Sequence, residues 1–237
     1  GIILALTLTL LAHEAAVCSA KEPSRMSTEE RIIRLLNITS GYYKVAAPPP
    51  DNGTANVIKF RTKLIRISSV DVVNQLVSLD LWIMMFWTDS RLAWNETDDP
   101  KLAKFEKIFL PTDYVWLPDL SLSHPVDVKS FETNKFLVDV SSNGRMKLET
   151  PLGITIKCPL KMRDFPFDTQ VCQFSFSSAA KKQTLLQLEI KSGLPINYSE
   201  INLQNNEYCV TSVRSVIIDF STQFPQFKKL LVTVEFE

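Results

Sequence analysis

Histidine is almost missing from this chain: His13 and His124 are the only two among 237 residues. An imidazole-based zinc site or general base has almost no material to draw on. An excess of one charge is missing as well. The 26 Lys and Arg residues are matched by 26 Asp and Glu, and the formal net charge is zero. No stretch is rich in Lys and Arg, which excludes nucleic acid as a partner, since phosphate binding needs a concentrated basic surface. After the first 20 residues no apolar run is long enough to cross a bilayer as a helix. Internal repeats, low-complexity tracts and linkers are also missing, so one domain with one substantial core is expected. An enzyme would have to be built on Cys209 with His124, and no nucleophile motif surrounds either residue. No catalytic residue, metal or cofactor is assigned.

What is present begins with a leader. Gly1 to Ala20 reads as a secretory signal, with Ile2 to Ala12 as its apolar centre and small residues before a cleavage position at Ala20. The apolar run is too short to serve instead as a transmembrane anchor. The chain lacks an initiating Met and is read as starting inside that leader, with 21–237 as the mature domain. Sequons occur at Asn37, Asn52, Asn95 and Asn197. Each alone arises easily by chance. Behind a secretory leader, the set indicates a glycosylated extracellular surface.

One helix is expected, with Ser27 as N-cap and Glu30 three residues on. Ile32, Ile33, Leu35 and Leu36 form its apolar stripe, and it ends near Asn37 and Gly41. Pro48, Pro49 and Pro50, followed by Asp51, Asn52 and Gly53, read as an exposed loop. From Val57 onward the period is two: Ile58, Phe60, Thr62 and Leu64 oppose Lys59, Arg61 and Lys63. Further strand-like segments run over 79–87, 135–140, 154–157, 170–177, 184–191, 207–218 and 229–236. Turn signals at Asp98, Asp99 and Pro100, at Asn143-Gly144 and at Ser192-Gly193 separate them, and Asn143-Gly144 suits a hairpin. The expected fold class is all-β: an immunoglobulin-like β-sandwich of about ten strands with one N-terminal α-helix.

The most informative run lies between Cys158 and Cys172. It contains Leu160, Met162, Phe165, Pro166, Phe167 and Asp168. A cysteine pair at this separation is weak evidence by itself, being equally suited to a structural staple in any secreted β-protein. With the Phe-Pro-x-Asp element it resembles the signature of the Cys-loop pentameric ligand-gated ion channels, a superfamily of nicotinic-receptor-like and acetylcholine-binding-protein-like domains. The resemblance implies a Cys158–Cys172 disulfide, stabilising by about 3 kcal/mol through the unfolded chain, and an oxidising folding compartment. Cys209 then has no partner within the chain and is expected as a buried free thiol, with an intermolecular bridge as the alternative.

The resemblance extends over nearly the whole mature chain. Trp116, Leu117, Pro118 and Asp119 resemble the Trp-x-Pro-Asp element that precedes the family's binding segment A. The stretch from Trp82 to Trp94 resembles the strand carrying segment D. It places Trp82 on the complementary binding face, with Trp87 and Trp94 as packing residues. Alternation agrees: Trp82, Met84 and Phe86 share one strand face and Trp87 lies on the other.

In the family, ligands bind at the seam between neighbouring subunits, where aromatic faces surround an ammonium through cation–π attraction. Here the segment A aromatic falls at Ser123 and the segment B tryptophan at Ala179. Segment C, between Val216 and Lys228, has no adjacent cysteine pair, and Phe220 and Phe224, the latter before Pro225, are its aromatic candidates. Asp139, Lys147 and Glu149 fall near segment E. Each aromatic lost from such a cage removes on the order of 1 kcal/mol or more from cation binding. Tight acetylcholine binding by a homopentamer is therefore not expected. Either the ligand differs, or the subunit supplies mainly the complementary face beside a different principal subunit. Glycine- and GABA-type anion channels are not favoured, since glycine-type members usually carry a second disulfide near segment C.

Phe165, Pro166, Phe167 and Asp168 match the coupling tip that rests on the membrane domain in full channels. Val70 to Val73 match the neighbouring coupling loop, with Val72 where an acidic residue is common. The expected function is thus the extracellular ligand-binding domain of a channel subunit. Its partners would be a small neurotransmitter-like ligand and identical or related subunits, on the extracellular face of the plasma membrane. Membrane contact would come only through a transmembrane part outside this chain. The alternative is a secreted, soluble acetylcholine-binding-protein-like pentamer. An intact apolar tip favours the channel, because phenylalanines exposed without a partner invite association. So does the end of the chain at Val232 to Glu237, inside or at the close of its last strand.

Overall fold

The computed structural model describes residues 26–38, 40–50, 55–95, 105–130, 136–163, 165, 167–178, 186–191, 208–219 and 227–237. The leader, the sequons at Asn52 and Asn197, and the site candidates Pro166, Ala179, Phe220 and Phe224 lie outside the described residues.

Helix α1 spans Thr28–Leu35. Ser27, in extended conformation, accepts a hydrogen bond from the Glu30 amide at 3.1 Å, which satisfies one of the free donors of the first turn. Glu29 and Glu30 complement the positive end of the helix dipole, and Glu30 pairs with Arg34 one turn on at 2.9 Å. Asn37 ends the helix with φ 49°. Leu35 departs from expectation: it is exposed, while Ile32 is buried and Ile33 and Leu36 pack on the core. At 100° per residue Leu35 sits about 100° from the centre of that arc.

Among the described residues eleven strands follow: β1 (Asn56–Asp71), β2 (Leu76–Thr88), β3 (Lys107–Pro111), β4 (Leu120–Leu122), β5 (Asp127–Ser130), β6 (Leu137–Ser141), β7 (Arg145–Lys157), β8 (Gln170–Ser178), β9 (Leu186–Ile190), β10 (Val210–Asp219) and β11 (Lys228–Phe236). The first sheet runs β3-β6-β7-β2-β1-β9, with β5 added along the far half of β7. The second runs β10-β11-β8-β4. The result is the expected all-β, immunoglobulin-like sandwich with one short N-terminal helix. All described pairings are antiparallel except β1 with β9. Strands β3, β4 and β5 were not expected, being too short to display a period. Strand β7 is longer than expected, because Pro151 and Gly153 interrupt its pattern without breaking its pairing to β2.

Two apolar clusters fill the space between the sheets. One contains Leu79, Leu81, Phe174, Phe176, Val232 and the two bridged cysteines. The other joins Ile32 of α1 to Trp87, Trp94 and Trp116. Trp87 and Trp116 meet edge-on, with ring centroids 6.4 Å apart, an arrangement favoured by the ring quadrupole.

The β6–β7 turn is locked beneath this second cluster. Gly144 takes φ 77°, and a Cβ there would lie 2.7 Å from the Asp89 carbonyl oxygen, so only glycine fits. Asp89 itself is fully buried. Its carboxylate accepts from Arg91 Nε at 2.8 Å, Arg91 Nη2 at 2.7 Å and Tyr42 Oη at 2.7 Å. The Tyr42 oxygen in turn accepts the Trp116 amide at 2.9 Å. Burial, then the hydrogen bond and charge of Asp89, hold the Tyr42 hydroxyl proton far more tightly than usual, opposed by the Trp116 amide.

Candidate functional site

The outward face of the first sheet begins with β2. Val77, Leu79, Leu81, Ile83 and Trp87 point into the core. The alternate residues, Ser78, Asp80, Trp82, Met84 and Phe86, point away from it. Trp82 is 38 % exposed there, whereas Trp87 and Trp94 are buried. The cross-strand register builds the surface around it in rows. Trp82 lies between Lys63 on β1 and Pro151 on β7, Met84 between Arg61 and Glu149, and Phe86 between Lys59 and Lys147. Lys147 is followed across β6 by Asp139.

Trp82, Asp139, Lys147 and Glu149 therefore share one face. Lys147 Nζ pairs with Glu149 at 2.7 Å, Lys107 with Asp139 at 3.1 Å, and Lys59 with Glu189 at 3.7 Å. Lys191 Nζ lies 3.6 Å from the centroid of the Phe86 ring. Burial, then repulsion from Lys59, Lys147, Arg145 and Arg61, lowers the proton affinity of Lys191. Neither Phe86 nor Lys191 was singled out as a site residue from sequence. The parity of Phe86 with Trp82 was the available signal.

Ser123 belongs to the other side of the sandwich and does not meet Trp82 within one chain. It follows β4, its amide donates to Ser175 O at 2.8 Å, and its hydroxyl lies 3.4 Å from that of Ser177. Ser121 donates to Ser177 O at 3.3 Å, and the Ser178 hydroxyl donates to the Asp119 carboxylate at 3.0 Å. Among the described residues this stretch presents hydroxyls. Ser123 also borders a cavity of about 540 Å³ that includes His124, Phe174, Ser175 and Leu231. His124 at its edge adopts φ 51°.

At the end of the sandwich formed by the β1–β2 turn, Cys158 and Cys172 are bridged and buried in the first cluster. The Cys158 amide donates to Gln75 O at 2.9 Å, tying the disulfide loop to that turn. Gln170 closes the loop from inside. Its side-chain oxygen accepts the Lys161 amide at 2.8 Å, its amino group donates to Lys161 O at 2.9 Å, and it also donates to the Asp168 carboxylate. Such a paired amide imitates a strand ladder, and nothing in the sequence motif signalled it. Beyond this brace Phe165 is 69 % and Phe167 91 % exposed. Val72 and Val73 on the adjacent turn are exposed too. Asp71 accepts from the Asn74 side chain and amide, which pull its carboxyl below the ordinary range.

Cys209 is exposed, contrary to the buried thiol expected. It stands just before β10, where its backbone exchanges two hydrogen bonds with Glu237 at 2.8 and 2.9 Å while its side chain faces outward. The sequon residues Asn37 and Asn95 are both exposed. Among the described residues no His, Cys, Asp and Glu group could hold a metal ion, and no helix is long and apolar enough to cross a membrane.

Comparison with known proteins places these features. The chain is similar to neuronal acetylcholine receptor subunit alpha-2 of Gallus gallus, with 27 % identity covering 74 % of this chain and 32 % of that protein. It is similar to acetylcholine receptor subunit alpha-type des-2 of Caenorhabditis elegans at 33 % identity, covering 71 % and 31 %. The 5-hydroxytryptamine receptor 3A of Cavia porcellus matches at 32 % identity, covering 64 % and 30 %. The chain thus spans about a third of the length of these curated relatives. The family model described as neurotransmitter-gated ion-channel ligand binding domain matches residues 29–236, and with its sandwich and bridged loop the chain belongs to that family, one of receptor domains and not of enzymes.

Proposed function

We propose that this chain is the ligand-binding part of a channel subunit that joins identical or related subunits in a five-membered ring. It binds a small neurotransmitter-like ligand at the seams. The observation that carries this reading is Trp82, 38 % exposed on the outward face of the first sheet. So large an apolar side chain is unfavourably placed in water, and a head-to-tail ring covers it with a different face of the neighbour. In that arrangement Trp82, Asp139, Lys147 and Glu149 form the complementary wall. Ser123 belongs to the principal wall, together with Ala179, Phe220 and Phe224.

Ligand binding favours a closed segment C and shifts the channel equilibrium by its differential affinity. The exposed Phe165 and Phe167, beside Val72 and Val73, support docking of this tip, with Pro166 and Asp168, on a membrane domain. They favour a channel subunit over a secreted binding protein, which would leave them in water. Secretion through the leader, glycosylation at Asn37, Asn52, Asn95 and Asn197, and a place on the outer face of the plasma membrane complete the proposal.

A thermal-shift screen of amines, amino acids and organic anions tests it, with Trp82→Ala as control. A ligand at 100 times its Kd stabilises by about 2.7 kcal/mol. That shift is expected to vanish in Trp82→Ala. A hit that stabilises the variant equally overturns the placement of the pocket.

A further inference from the structure

Trp82, Met84 and Phe86 form an apolar stripe along β2, about 13 Å long at the usual rise per residue. Its two ends differ in charge. At the Phe86 end the strands gather Lys59, Arg61, Arg145, Lys147 and Lys191. Glu189 and Glu149 pair with Lys59 and Lys147, and Asp139 at the rim is taken by Lys107. Among the described residues neither Arg145 nor Lys191 has a carboxylate partner. In a chain whose charges sum to zero, this is a local excess of positive charge. The ring face of Phe86, the natural seat for a ligand ammonium, is already occupied by the chain's own Lys191.

Resting on the seam reading above, we infer that the ligand is an elongated amphipathic carboxylate. Its apolar body lies along Trp82 and Met84, and its anionic end is seated by Arg145 and Lys191 at Phe86. An anion there relieves the mutual repulsion of the clustered cations, and the fork of Arg145 matches a carboxylate in shape. An ammonium of the same length meets that repulsion instead. Opposite it, the described Ser123 stretch supplies hydroxyls in place of a ring.

The test uses 4-phenylbutyrate and 4-phenylbutylamine, which share a body and differ in the sign of the end group. Each is titrated into the secreted, glycosylated domain at fixed ionic strength. Binding is followed by tryptophan fluorescence, with Trp82→Phe to identify the signal and light scattering to follow the ring. Expected is saturable binding of the carboxylate, about ten-fold tighter than the amine. In Arg145→Gln/Lys191→Gln the carboxylate should bind about ten-fold more weakly while the ring mass stays unchanged. Equal or tighter binding of the amine, unchanged carboxylate binding in the double variant, or no binding of either probe to the assembled ring overturns the inference. Loss of the ring in that variant overturns it too, since the two cations would then hold a neighbouring subunit's carboxylates. If the unmodified domain never forms a ring, the seam reading itself has failed, and the mass measurement separates that case from the others.

Discussion

Replacing the bridged cysteines one at a time and together yields a sharp quantitative expectation. The bridge joins residues 14 apart, and closing a loop of that size restricts the unfolded chain by about 3 kcal/mol. Both sulfurs are also buried in the first cluster, so trimming each side chain to alanine removes about 1 kcal/mol more of apolar burial. Cys158→Ala and Cys172→Ala should each cost about 4 kcal/mol, since either change removes the whole bridge. The double variant should cost about 5 kcal/mol instead of the additive 8, a coupling of about 3 kcal/mol. Cys209 is exposed and free, so the cycle belongs in a Cys209→Ser background that blocks thiol exchange. Urea unfolding followed by tryptophan fluorescence reads the differences, and a domain of this size should lose roughly 2–4 °C in Tm for each kcal/mol. Single variants that cost about 1 kcal/mol each and add to 2 in the pair would refute the reasoning.

Gly144→Ala should destabilise by about 1–3 kcal/mol, since its φ of 77° and the Asp89 carbonyl 2.7 Å from any added Cβ both oppose a side chain; an unchanged urea midpoint would contradict this. Tyr42 holds its proton far above the ordinary phenol range. Its contribution is complete below about pH 10, the unfolded value, and is lost as pH rises beyond it, because the unfolded chain then releases the proton that the folded one keeps. Tyr42→Phe should flatten that alkaline decline while costing about 1–2 kcal/mol at neutral pH through its lost hydrogen bonds; a decline that persists in the variant would point to other groups. Phe165→Ser with Phe167→Ser, both well exposed, should shift stability by no more than about 0.5 kcal/mol per site. In a whole subunit the same pair should abolish gating while ligand affinity at the seam is retained; normal gating would remove the tip from the coupling path.

Much of this fold could be read from residue order because local signals agree with the global arrangement. Ser27 and Glu30 begin the helix where a capping pair should. The alternation that separates Trp82 from Trp87 follows directly from strand geometry. What could not be read depends on distance along the chain. Tyr42 reaches Asp89 across 47 residues and Trp116 across 74, and no period or motif links such positions. Gln170 looks like any strand polar residue until the loop folds back and brings Lys161 to it. Cys209 looked like a core residue because cysteine is usually buried, yet a strand end leaves it uncovered. The candidate site divides in the same way. Trp82, Lys147 and Glu149 gather through cross-strand register, whereas the lysine over Phe86 arrives from β9 and its chain end, a parallel neighbour no local pattern announces.

The proposed ring is open to a single decisive measurement: the native mass of the domain produced by secretion, taken while iodide quenching reports on Trp82. Five copies per particle, with Trp82 protected on assembly, is the expected result. A single copy at high concentration, with Trp82 freely quenched, would contradict the assignment of this face to a subunit seam.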